Sequence, residues 1–238
     1  MPGNGRGPSK PRSGEAFDLE EEMRKLRLRM VREQIESRGI RDPRVLEAMR
    51  SIPRHLFVPP ELAWEAYDDN PLPIGEGQTI SQPYMVAWMT ELLSLRGEER
   101  VLEVGTGSGY QAAILGRLAQ EVWSVEKQEG LAREAEERLR RLGFDNVRVV
   151  VGDGSRGLSE HAPYDAVVVT AGSPSIPQPL LEQLADGGRL VIPVGPSSLQ
   201  MLNLVVREGD GYRREEKGGC VFVPLVGKYG WKWGRRFA

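Results

Sequence analysis

The chain has 238 residues, 39% of them apolar and 28% charged, enough for one sizeable domain or one domain with an appendage. Its 32 basic and 34 acidic residues leave a formal net charge of −2, which argues against holding nucleic acid by bulk charge. One cysteine and two histidines exclude an intrachain disulfide, a thiolate zinc cluster and a multi-histidine metal site, which leaves mostly carboxylates to hold any metal; none is expected.

No apolar run approaches the ~18 residues that span a bilayer. Residues 1 to about 16 hold glycine, proline and charge without the apolar centre of a secretory signal, and they read as a flexible tail. A cytoplasmic location is therefore expected.

Order is expected from about Asp18. Leu19, Met23, Leu26 and Met30 recur at helical spacing, and Gly39 marks the stop. Asp42 before Pro43 reads as an N-cap with a first-turn proline, opening a short helix through Val45, Leu46 and Met49. Pro53, Pro59 and Pro60 interrupt regular structure beyond that helix, so residues 17–80 read as a helical lead-in packed on a main domain, 81–238. From Arg100 strand and helix alternate. Strands are expected at Val101–Val104, Val122–Glu126, Val147–Val151, Ala166–Thr170 and Arg189–Val194. Helices are expected around Ala112–Leu118, Leu131–Leu142 and Leu180–Leu184. This pattern predicts an α/β, Rossmann-like fold, a mostly parallel sheet with helices on both faces. Met201–Arg207, Tyr212–Glu216 around a Gly209-Asp210-Gly211 turn, and a β-rich run Cys220–Val226 add an antiparallel C-terminal edge.

The strongest chemical signal is Val101-Leu-Glu-Val-Gly-Thr-Gly-Ser-Gly109, a glycine turn between a strand and a helix. Glu126 ends the next strand about 20 positions on, where an acid can accept from both hydroxyls of a ribose. The turn is G-x-G-x-G, whereas the dinucleotide fingerprint is G-x-G-x-x-G, and Glu103 on the preceding strand would repel a pyrophosphate. A carboxylate there suits a cationic ligand such as the ammonium of S-adenosylmethionine; the plainer reading is a strand-end acid bonded to backbone amides. Asp153, after the third strand, can accept from an adenine amine or serve as a turn aspartate.

Several stretches resemble the protein-L-isoaspartate O-methyltransferase family: Gln78-Thr-Ile-Ser-Gln-Pro-Tyr-Met85, the glycine turn through Tyr110, Ile52-Pro-Arg-His-Leu-Phe-Val-Pro59, Gly152-Asp-Gly154, Tyr164-Asp-Ala-Val-Val-Val-Thr-Ala171, and Ile176 to Gly195. The likeness covers about residues 20–231, and Thr79-Ile80-Ser81 is its most specific part. The resemblance implies a class I methyltransferase fold. It also implies methyl transfer from S-adenosyl-L-methionine to the free α-carboxylate of L-isoaspartyl residues, which starts the repair of damaged proteins and peptides. Carried over by resemblance, Ser81 orients the acceptor carboxylate. The expected cofactor contacts are Thr79, Ile80, Ser81, Glu103, Gly105, Thr106, Gly107, Ser108, Gly109, Glu126, Lys127, Asp153 and Gly154. Isoaspartyl proteins and peptides are the expected partners, with no nucleic acid, no membrane and a monomeric chain.

This chemistry asks for alignment rather than proton transfer, because a carboxylate with a pKa near ~4 is already ionised. Ser81 has a second reading as the cap of a helix starting near Pro83. A methyltransferase with a small-molecule or RNA acceptor, and a non-catalytic cofactor-binding module, stay open as alternatives. Val226 and Gly230 depart from the hydroxyl and polar residues of some family members. Trp231-Lys232-Trp233 reads as packing against the main domain rather than as a peptide platform. His55 reads as a structural histidine, His161 as a loop residue and Cys220 as a buried apolar residue.

Overall fold

The computed structural model describes residues 13–232; residues 1–12 of the expected tail and Trp233 lie outside them. Helix α1, Ser13–Met30, begins five residues ahead of Asp18. Met23 and Met30 of its stripe are buried and Leu26 packs partly against the core, but Leu19 stays 46% exposed. The chain winds on through a π-helical turn, Val31–Ile35, and a 3-10 turn, Glu36–Arg38, and the helix ends at Gly39 as its position in the sequence indicates.

Helix α2, Pro43–Ser51, is capped by Asp42, whose carboxylate accepts from the Arg44 N–H at 2.8 Å and the Val45 N–H at 3.4 Å. Asp42→Ala should therefore cost about 1 kcal/mol in a denaturant melt, because a first-turn amide loses its partner.

Two 3-10 turns, Arg54–Phe57 and Pro60–Leu62, come next. They lead to a feature that the sequence pattern does not announce, a hairpin of β1, Leu72–Gly75, and β2, Gln78–Ile80. Its turn places Gly75, Glu76 and Gly77 all at positive φ. The lead-in is thus not purely helical. Helix α3, Pro83–Leu93, starts at the expected proline.

The main sheet has seven strands: β3 Arg100–Val104, β4 Glu121–Glu126, β5 Val147–Val151, β6 Tyr164–Val169, β7 Leu184–Val194, β8 Gln200–Glu208 and β9 Gly211–Cys220. Their order is β5-β4-β3-β6-β7-β8-β9, parallel as far as β7 and antiparallel from β7 to β9. The chain moves outward from β3 to β4 and β5, then returns to the other side of β3 as β6. The C-terminal ends of β3 and β6 are therefore a topological switch point, where open α/β sheets bind ligands.

Helices α4, Tyr110–Leu118, α5, Glu129–Arg141, and α6, Gln178–Glu182, complete the alternation. Alternate residues of each strand feed opposite faces. Val101, Val122, Val168 and Val191 join α1–α4 and Leu139 in one core, while Leu102, Val104, Val167 and Leu190 join Tyr164, Leu180 and Leu225 in the other. Helix α6 is only five residues long, because Leu184, expected in the helix, already opens β7.

The expected strand Cys220–Val226 is not one. Cys220 is buried as the last residue of β9, and the chain then crosses the ends of the parallel strands. Only Gly172 and Pro224, and Val226 and Trp231, pair there as isolated bridges. Pro224 lacks the N–H that a continuous ladder needs.

Candidate functional site

A cleft of about 870 Å³, open solvent at its mouth included, lies over the switch point. It is walled by Thr79, Ile80 and Ser81 from the hairpin's exit, by the turn Gly105–Ser108, by Glu126 and Lys127 at the end of β4, by Gly154, and by Val223–Val226. Gly105 has φ +100, and a Cβ there would sit 2.5 Å from the Thr170 hydroxyl oxygen. That hydroxyl donates to the Gly105 carbonyl at 2.6 Å, so the turn is locked to the start of the β6 loop. Gly109 lies outside the wall and serves as the N-cap of α4.

Glu126 is buried and both its oxygens face backbone donors: one accepts from the Gly107 N–H and the other from the Gln128 N–H, each at 2.9 Å. Each oxygen keeps a further lone pair, the requirement for two vicinal ribose hydroxyls. Lys127 reaches across the mouth and donates to the Val226 carbonyl at 3.2 Å. The departure at Val226 thus costs a hydroxyl but leaves a backbone contact in place.

Besides Gly109, two of the expected cofactor contacts, Glu103 and Asp153, do not line the cleft. Glu103 is 0% exposed and does not line the cleft. The Ser124 hydroxyl donates to its Oε2, Ser124 and Thr106 share a 2.5 Å hydrogen bond, and Oε1 has no partner. The acid is thus linked to the glycine turn through Ser124 and Thr106. Burial pushes its pKa up to about 8, with the Ser124 hydrogen bond lowering it and the Glu126 charge raising it.

The fold therefore holds this proton more tightly than the unfolded chain does. The bound proton contributes stability fully below the ordinary carboxylate value, and that contribution is lost as pH rises through about 8. Glu103→Gln, which keeps the shape without the charge, should lose less stability than the parent between pH ~5 and ~9. Parallel stability curves from denaturant melts would contradict this.

Asp153 also lies just outside the cleft's lining. Its carboxylate accepts from the Ser155 hydroxyl at 2.6 Å, the Ser155 N–H at 3.1 Å and the Lys228 N–H at 2.8 Å. Burial raises its pKa, but these bonds hold it below the usual value. Asp153 pins the C-terminal segment that forms one wall, and its neighbour Gly154 faces the cleft. Gly230 belongs to the same segment: a Cβ there would come within 2.1 Å of the Leu225 carbonyl oxygen, so no polar side chain fits without the segment moving. Trp231 donates from Nε1 to the Gly172 carbonyl at 3.0 Å, packing on the main domain.

Ser81 faces the cleft, and the helix it precedes takes Gln82 as its N-cap with no side-chain cap bond. Its carbonyl, by contrast, accepts from Arg54 Nη2 at 2.8 Å. Capping is therefore not its role. Sequence reasoning missed Gln111, buried against the cleft with Nε2 donating to the Thr90 hydroxyl at 2.9 Å and Oε1 unpartnered. It also missed Thr170 and Tyr110; all three sit on regular helices or strand ends where no local pattern marks them. His55 is structural as expected, bonded through Nδ1 to the Tyr67 hydroxyl at 2.7 Å, and burial lowers its pKa. His161 stacks on Trp123 with ring centroids 3.4 Å apart, more than a free loop residue would do. No cluster of metal-ligating side chains occurs among the described residues.

A mostly parallel sheet with this glycine turn and a ribose-ready carboxylate one strand on defines a Rossmann-like class I methyltransferase that uses S-adenosylmethionine. Residues 25–230 match the sequence model of the Protein-L-isoaspartate(D-aspartate) O-methyltransferase (PCMT) family, and the chain belongs to that family. It is 61% identical over 204 residues to protein-L-isoaspartate O-methyltransferase 2 of Pelobacter propionicus, covering 85% of this chain and 91% of the relative. It is 58% identical over 206 residues to the protein-L-isoaspartate O-methyltransferase of Methanoregula boonei, covering 87% and 95%. A solved protein-L-isoaspartate O-methyltransferase superposes with a TM-score of 0.77 at 29% identity, over 87% of this chain and 67% of that one. The Plasmodium falciparum relative, solved with S-adenosyl-L-homocysteine, gives 0.73 at 25% identity, over 84% and 98%.

Proposed function

We propose that this protein transfers a methyl group from S-adenosyl-L-methionine to the α-carboxylate of L-isoaspartyl residues, with Ser81 orienting the acceptor. The observation that carries the assignment of Ser81 is its position in the same cleft as the glycine turn and Glu126, with its hydroxyl bonded to no helix end. The cofactor supplies a methyl already activated on a sulfonium. Glu126 is suited to hold the ribose, and Gly105–Ser108 to let the backbone approach the donor closely. Ser81 donates to one carboxylate oxygen and leaves the other free to attack. The walls Ile80, Val104, Leu225 and Val226 exclude water from the transfer.

The reading includes a chain that acts alone in the cytoplasm on proteins and peptides, without nucleic acid or membrane. Its exposed sheet edge β9 carries Arg213, Arg214, Glu215, Glu216 and Lys217, charges that oppose edge-to-edge pairing. No helix among the described residues is long and apolar enough to cross a membrane.

Labelled S-adenosylmethionine with an isoaspartyl peptide and its aspartyl twin tests the proposal. Label on the first alone is expected. Equal labelling would indicate a broader carboxyl transferase, and binding without labelling a non-catalytic module.

A further inference from the structure

Arg54 is 0% exposed, yet no acid pairs with its guanidinium among the described residues. Nε donates to the Ala66 carbonyl at 2.7 Å, Nη2 donates to the Ser81 carbonyl at 2.8 Å, and Nη1 has no hydrogen-bond partner among the described residues. The guanidinium carbon lies 4.9 Å from the centre of the Tyr110 ring, and Tyr110, like Ser81, lines the cleft. A cation therefore sits directly behind the wall at the Ser81 end. Burial lowers its pKa to about 10, which leaves it charged at neutral pH.

Burying an unpaired cation is unfavourable, and a buried donor left open calls for an explanation. The cation that lines the cleft itself, Lys127, stands at the Glu126 end and is bonded to Val226. The acceptor, however, arrives at Ser81 as an anion.

We propose that Arg54 is a positioning residue that fixes the Ser81 backbone and supplies the counter-charge by which the cleft selects a carboxylate acceptor over a neutral one. This rests on the isoaspartyl reading above. In a desolvated site a charge one residue behind the wall acts across a low dielectric, and a preference of about tenfold or more is the expected scale.

The test measures binding of an isoaspartyl peptide and of its α-carboxamide analogue, in the presence of S-adenosylhomocysteine so that nothing turns over. The parent should favour the carboxylate by about tenfold or more. Arg54→Lys should keep most of that ratio, and Arg54→Gln should bring it towards one while S-adenosylhomocysteine affinity changes by less than about threefold. Ser81→Ala, which loses its own hydrogen bond to the acceptor but leaves Arg54 in place, should lower the ratio without bringing it to one, and keeps the test valid if the Gln variant fails to fold. An Arg54→Gln protein that weakens both peptides equally would reduce Arg54 to a structural tie and overturn the proposal. So would a parent without preference, or a ratio that vanishes in Ser81→Ala. A parent that methylates no isoaspartyl peptide yet still favours the carboxylate would instead overturn the functional reading alone.

Discussion

Ser81→Ala should lower kcat on an isoaspartyl peptide by about 10- to 100-fold while changing S-adenosylhomocysteine affinity by less than about threefold. A hydrogen bond to a charged group is worth about 1.5–3 kcal/mol, and each 1.4 kcal/mol is a factor of ten. The effect falls on turnover because the lost contact is to the acceptor. The fold should tolerate the change, since the Ser81 side chain caps no helix and the backbone tie to Arg54 is made by its carbonyl. Single-turnover kinetics and a thermal melt separate the two. Unchanged turnover would remove Ser81 from the mechanism.

Gly105→Ala should be as damaging, at the glycine turn of the same cleft. The position has φ +100, and the new methyl would lie 2.5 Å from the Thr170 hydroxyl oxygen, which is itself bonded to the Gly105 carbonyl. A non-glycine residue in this region costs of order 1–3 kcal/mol in strain alone. Relief requires the Thr170 hydroxyl to give up its bond to the Gly105 carbonyl or the turn to shift at the wall of the cleft. Cofactor affinity should fall by about 100-fold or more, together with a lower melting temperature. Gly130→Ala is the control: it lies near the start of α5 with nothing within 4 Å of the added carbon, and should be neutral or stabilising by up to about 1 kcal/mol. Equal affinities in the Gly105 variant and the parent would show that the turn does not cradle the ligand.

What could be read in the sequence was what depends on neighbours along the chain. The Asp42 cap, the glycine turn and the strand-end position of Glu126 are set by residues within a few positions, and each lies where the pattern indicates. The hairpin at Leu72–Ile80 escaped because its strands are four and three residues long, too short to show alternation. Leu19 matched a helical stripe but found no facing element to bury it. Asp153 keeps the local Ser155 bonds of a turn aspartate, but its tie to Lys228, 75 positions away, and the Glu103 tie to Ser124, 21 positions away, leave no mark in the local sequence. Arg54 was hidden for the same reason: in a row of letters it is an ordinary surface charge beside His55, and only the packing of Ala66, Ser81 and Tyr110 around it makes it a buried cation.

The wall formed by Val223–Val226 has a temporal consequence. Every described strand of the sheet precedes it in the chain, and it and the following Lys228 are fastened to Gly172, Lys127 and Asp153, which the ribosome delivers earlier. A nascent polypeptide can therefore finish its β-sheet while the donor pocket still lacks a side, so methylating competence arrives only after the last strand has left the exit tunnel.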